Sequence, residues 1–139
     1  MSDLRTIRGQ GLAGDVDRIQ LFDGQFTTGY RLKRIVITPS DPFSSEEVTV
    51  RLLTEDIGHG TSWNWARNEQ IGWACWNTPT NSRFGQFDLV DEECIIVEDL
   101  YIDFSGDAGQ LINYLIELEK VTFSDWKGAL AMVQNRSQS

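Results

Sequence analysis

The sequence is poor in the residues that usually announce chemistry. It holds one histidine, two cysteines and three prolines in 139 residues. One histidine with two cysteines cannot complete a Cys/His zinc set, and neither cysteine belongs to a C-x-x-C pair. Cys75 and Cys94 could bridge only from neighbouring strands, so both read as buried thiols behaving as small hydrophobes. No apolar run approaches the roughly 20 residues of a membrane span. The opening "MSDLRTIRG" has no basic start before an apolar stretch, so no signal peptide is read and assembly in a cytoplasm is expected. Lys and Arg number 12 against 21 Asp and Glu, a net charge of −9. So acidic a chain is a poor partner for nucleic-acid phosphates and for anionic membranes. Its densest basic group, Arg31, Lys33 and Arg34, reads as decoration of a strand.

What is present is a core's worth of apolar side chains. Hydrophobic residues make up 40% of the chain and aromatics 11%, enough for one domain without metal or disulfide support. No repeat, linker or low-complexity segment divides residues 1–139, and only the tail near 136–139 is expected to fray. Short alternating runs dominate: Leu4–Arg8, Arg18–Asp23, Tyr30–Thr38, Glu47–Thr54, Glu69–Trp76, Phe84–Val90 and Cys94–Phe104, separated by Gly, Pro, Asp, Asn and Ser. Such runs predict antiparallel strands. Gln110–Val121 fits a helical stripe or a strand. It is read as a strand because no clear N-cap precedes it, which makes Leu100–Val121 a hairpin. One helix is expected, over Ser124–Gln134, with Ser124 as its N-cap. The expected fold is all-β: an antiparallel, jelly-roll-like sandwich with one short C-terminal helix.

Four candidate chemistries compete with plainer readings. "GQGLAG" (Gly9–Gly14) matches G-x-G-x-x-G, but no helix follows to meet a pyrophosphate, so it reads as a turn between strands. His59, between two glycines, suggests acid–base work with Ser62 and Asp56. Residues so close in sequence rarely reach the required geometry and no G-x-S-x-G is present, so a loop histidine bonding local backbone is the preferred reading. The acidic clusters Asp91-Glu92-Glu93, Glu98-Asp99 and Asp103 with Asp107 suggest a carboxylate pair or calcium, but read more simply as loop ends facing water. Last, Ile57–Trp76 holds four of the five tryptophans. Trp63 and Trp65, two apart, point the same way on an extended chain and are the candidate interface or ligand-stacking residues. Anchoring of their loop is preferred over stacking on sugar rings. At least one of Trp73 and Trp76 is expected between the sheets. No catalytic residue, metal ligand or cofactor is assigned.

Three blocks carry a resemblance: "IRGQGLAGDVDRIQLFDGQFTTGYRLKRIVITPSDP", "TEDIGHGTSWNWARNEQIGWA" and "INYLIELEKVTFSDWKGALAMVQNRSQS". Together they resemble small virion structural proteins of marine bacteriophages. The resemblance covers nearly the whole chain and transfers no functional residue. It implies a non-enzymatic capsid or capsid-associated subunit, assembled by symmetric contacts with itself and with other virion proteins. Two alternatives stand beside it. One is a carbohydrate-binding sandwich for host recognition, using exposed Trp63 and Trp65. The other is a small hydrolase using His59 with a nearby carboxylate.

Overall fold

A computed structural model describes residues 4–22, 24, 27–42, 47–77 and 86–122. Among them every regular element is a strand: β1 (Leu4–Leu12), β2 (Val16–Ile19), β3 (Thr28–Pro39), β4 (Glu47–Leu53), β5 (Gln70–Asn77), β6 (Gln86–Val90), β7 (Ile95–Ile96), β8 (Leu100–Ser105) and β9 (Leu111–Thr122). Sheet A has the order β1-β9-β3-β7, and sheet B the order β2-β8-β4-β5-β6. Every pairing is antiparallel. The pairing is nested, with β1 on β9, β2 on β8, β3 on β7 and β4 on β5, successive rungs falling in alternate sheets. The helix expected over Ser124–Gln134 and the tail near 136–139 lie outside the described residues.

The inner faces follow the period of two. Sheet B turns Val48, Val50 and Leu52 inward beside Leu100, Ile102 and Phe104; sheet A answers with Ile112, Ile116 and Leu118. In β3 the inward set is Leu32, Ile35 and Ile37, which breaks parity after Leu32. A bulge between Leu32 and Arg34 supplies the missing step, one extra residue that resets which side faces in. Lys33 is that residue, and it turns outward to pair with Glu92 at 2.6 Å. Each buried Leu, Ile or Phe contributes roughly 1.5–3 kcal/mol. The result is a sandwich-like fold with one apolar core.

Two expectations about connections fail. Cys94–Phe104 is not one strand, because residues 97–99 carry the chain from sheet A to sheet B. The corner is fixed by Asp99, whose carboxylate accepts Arg18 Nε at 2.6 Å and the backbone N–H groups of Leu21 at 3.2 Å and Phe22 at 3.5 Å. Asp99 is therefore buried, not a water-facing loop end. Leu100–Val121 is not a hairpin either. β9 is a strand, but it crosses to sheet A after a turn at 106–110, where Gly109 has φ +82° and the Gln110 carboxamide oxygen accepts the Asp107 N–H at 2.9 Å. Local alternation reports strand length and says nothing of which sheet the next strand joins.

"GQGLAG" is a turn only at its end. Gly9–Leu12 belong to β1, and Gly14 takes φ +96° at the corner into β2. The strand glycines have a packing role. A Cβ on Gly11 would occupy the Phe104 ring, and one on Gly9 would press on the Tyr114 hydroxyl. Phe104 and Tyr114 meet at 5.7 Å in a tilted pair, so the two rings lie directly against the β1 backbone. Cys75 and Cys94 form no disulfide. The Cys94 thiol is pushed up to about 11, first by burial and then by the Asp91 carboxylate.

Replacing Gly11 by Ala drives a methyl group into Phe104, which is fully buried and has nowhere to move. The expected loss is roughly 1–3 kcal/mol, read from the urea midpoint; an unchanged midpoint contradicts the contact. For Cys94, an unfolded thiol ionises near 9 while the folded one keeps its proton up to about 11. The unfolded state thus binds fewer protons in that window, and stability falls as pH rises through it. Cys94→Ser should show a shallower fall in melting temperature over the same range.

Candidate functional site

The outer face of sheet B, away from the core, carries charge at its centre. Arg51 of β4 and Asp103 of β8 are register partners there. Because Val50, Leu52, Ile102 and Phe104 face the core, strand alternation forces Arg51 and Asp103 to the other side. That side is not open to water. The connection of residues 54–69 folds back across it, leaving Asp103 fully buried and Arg51 7% exposed. A buried ion pair loses several kcal/mol of hydration per charge unless the remaining lone pairs and protons are satisfied.

The connection supplies that satisfaction. Asp103 Oδ2 accepts Arg51 Nε at 2.7 Å and the Gly60 N–H at 2.9 Å. Asp103 Oδ1 meets His59 Nδ1 at 2.6 Å. Arg51 in turn donates to the carbonyls of Ser62 at 3.1 Å and Gly58 at 3.4 Å. The two glycines around His59 are needed for this. Gly58 adopts φ +82°, with its N–H held by Asp56 Oδ1 at 3.0 Å, and a Cβ on Gly60 would run into the Arg51 guanidinium.

The aromatic rings finish the cover. Trp63 stacks on Phe87 with centroids 6.1 Å apart, and Trp65 tilts against Trp73 at 5.9 Å. Gln70 Oε1 accepts both the Asn64 N–H at 2.8 Å and the Trp73 indole N–H at 3.1 Å, joining loop to strand. Trp63 is half-buried, whereas Trp65 stays 62% exposed. Both rings lie on one sheet face, but each over a different partner. Trp73 is buried beneath the loop and not between the sheets; Trp76 is the tryptophan that packs against the core.

Several expectations change here. His59 does not bond local backbone. Its partner is a carboxylate 44 residues away. The imagined Ser62–His59–Asp56 set does not form, since Ser62 contributes its carbonyl to Arg51 and Asp56 caps Gly58. Asp103 is the opposite of a water-facing loop carboxylate, and among the described residues no group of three or more His, Cys, Asp or Glu could hold a metal ion. If Nδ1–H donates to Asp103, the free Nε2 of His59 is held in a fixed orientation on a ring 37% exposed. That is half of an acid–base device. A nucleophile hydrogen-bonded to Nε2, which hydrolysis by this route needs, is absent among the described residues. Sequence reasoning missed Arg51 and Gln70, and named Asp103 only as a water-facing acid beside Asp107. The available signal was opposite charge in the middle of two strongly apolar strands, "VTVRLL" and "LYIDF".

Comparison with protein-family models, curated proteins and solved structures finds no match to this chain.

The bonding pattern ranks the substitutions. Asp103→Ala leaves Arg51 buried without a counter-charge and should cost roughly 3–5 kcal/mol. His59→Ala removes one hydrogen bond to a charged group from a part-exposed site, about 1.5–3 kcal/mol. Denaturant melts of the two variants check the order; equal losses, or a larger one for His59, contradict it.

Proposed function

We propose that the protein is a non-enzymatic structural subunit of a virus particle, capsid or capsid-associated, that works by contact with copies of itself and with other virion proteins. The observation that carries this reading is the strand order. Two sheets ordered β1-β9-β3-β7 and β2-β8-β4-β5, with β6 added at one edge, arise when a ribbon of nested antiparallel pairs is rolled so that alternate rungs lie in opposite sheets. This order fits a jelly-roll reading, an architecture used by viral capsid subunits and by lectins, and that fit supports the proposal. The resemblance of the three sequence blocks to marine phage virion proteins points the same way.

Surface chemistry supports it. The outer face of sheet A presents a shallow groove of about 530 Å³ lined by Arg8, Val36, Thr38, Asn113 and Leu115 among others. Polar pairs flank its apolar centre: Gln10 to Asn113 at 2.7 Å on one side, Arg34 to Glu117 at 3.7 Å on the other. Leu4, Leu12 and Leu111 are exposed at the ends of the same strands. An apolar centre with a polar rim is the anatomy of a protein–protein interface. By contrast, the one histidine has no partner nucleophile among the described residues.

Sedimentation of the purified chain should show a closed oligomer or a larger lattice. Leu115→Glu, a charge set in the centre of the sheet A face, should shift it to monomer without lowering the melting temperature. A chain that is monomeric at every concentration, and that does not enter particles when co-expressed with the other virion proteins, would overturn the proposal.

A further inference from the structure

A second recognition surface lies on sheet B. Beside the Arg51–Asp103 cluster, the outer face continues through Thr49 and Glu47 of β4 to their register partners Cys75 and Asn77 of β5. Loop residues Thr61 and Trp63 rise along one side, and together these groups enclose an open groove of about 430 Å³. Its volume falls in the range of small-molecule sites, about 300–1,000 Å³.

We propose that this groove binds a neutral saccharide, with one pyranose ring stacked on Trp63 and its hydroxyls held by Glu47, Thr49, Thr61 and Asn77. Three features of the groove argue for that ligand class. The wall is an indole, whose face matches the C–H face of a pyranose. Phe87 already fixes the ring at 6.1 Å and 29° between planes, so little side-chain freedom is lost on binding. The strand floor and the loop side together offer one carboxylate, one carboxamide and two hydroxyls, a mixed set of acceptors and donors suited to vicinal diols.

Other ligand classes fit less well. Glu47 at the groove and a net charge of −9 oppose phosphate, sulfate and acidic sugars. A peptide added as an extra strand needs a free sheet edge, whereas β4 and β5 are interior strands of sheet B. Trp65, over Trp73, lies apart from the groove and takes no part. The groove is on sheet B and the assembly face on sheet A, so either reading can fail alone.

The test is an NMR titration with methyl glycosides of glucose, galactose, mannose and N-acetylglucosamine and with their disaccharides. Saturable shifts are expected at the Trp63 indole N–H and the backbone amides of Thr49 and Asn77 for at least one sugar. Trp63→Ala should weaken binding by at least about tenfold, Trp63→Phe should retain part of it, and Trp65→Ala should leave it unchanged. Glu47→Gln and Asn77→Ala, on a paired strand region independent of the Trp63 contact, should weaken it with the melting temperature unaltered. The proposal is overturned if no sugar in the panel gives saturable shifts. It is equally overturned if binding survives both Trp63→Ala and Asn77→Ala.

Discussion

The buried carboxylate of Asp103 sets the terms for one whole side of the molecule. It sits in the middle of sheet B, on the face that strand alternation turns away from the core, and it is wholly shielded from water. An ionised carboxylate in that position is tolerable only when each lone pair finds a donor. Arg51 from the adjacent strand provides one donor, and the connection at residues 58–62 must provide the rest. From that requirement come the glycine at 60, the left-handed glycine at 58 and the path that delivers Trp63 and Trp65 to their aromatic partners. Sheet B thus has apolar packing on its inner face and a polar lock on its outer one.

This division separates stability from recognition. The core between the sheets depends on Leu, Ile and Val at alternate positions, with two rings pressed against a glycine-bearing edge strand. The lock fixes a long connection that would otherwise sample many conformations, and in fixing it positions Trp63 as one wall of a groove. Among the described residues no comparable connection crosses sheet A, and its outer face presents apolar side chains between polar pairs. The proposed assembly through sheet A would leave the braced loop on sheet B exposed.

Much of the fold was legible in the residues. The alternation in Glu47–Thr54 gave β4 almost to the residue, and the turn-rich spacing gave the all-β architecture of the described residues. The stretch after Gln110, open to a helical or an extended reading, proved extended because Ile112, Ile116 and Leu118 are needed on one face of a central strand. Connections were less legible. Asp99 and Asp103 looked like surface acids because a sequence shows a residue's type but not which distant arginine or backbone amide will meet it. The same blindness hid the partner of His59, 44 positions on. At least one of Trp73 and Trp76 was expected between the sheets for its size, and Trp76 is the one that packs against the core. Trp73 serves the loop instead, because its strand parity matches Arg51, which faces out.

The central claim is that Asp103 locks the connection to sheet B, and the Gly60 amide reports on it directly. Native-state hydrogen exchange should find that N–H opening only with a large part of the global unfolding free energy, as for an amide buried on a carboxylate. Its protection should collapse in Asp103→Asn while the β3 and β9 amides at the centre of sheet A keep theirs. A Gly60 amide that exchanges as fast as an exposed loop amide in the native chain would contradict the account.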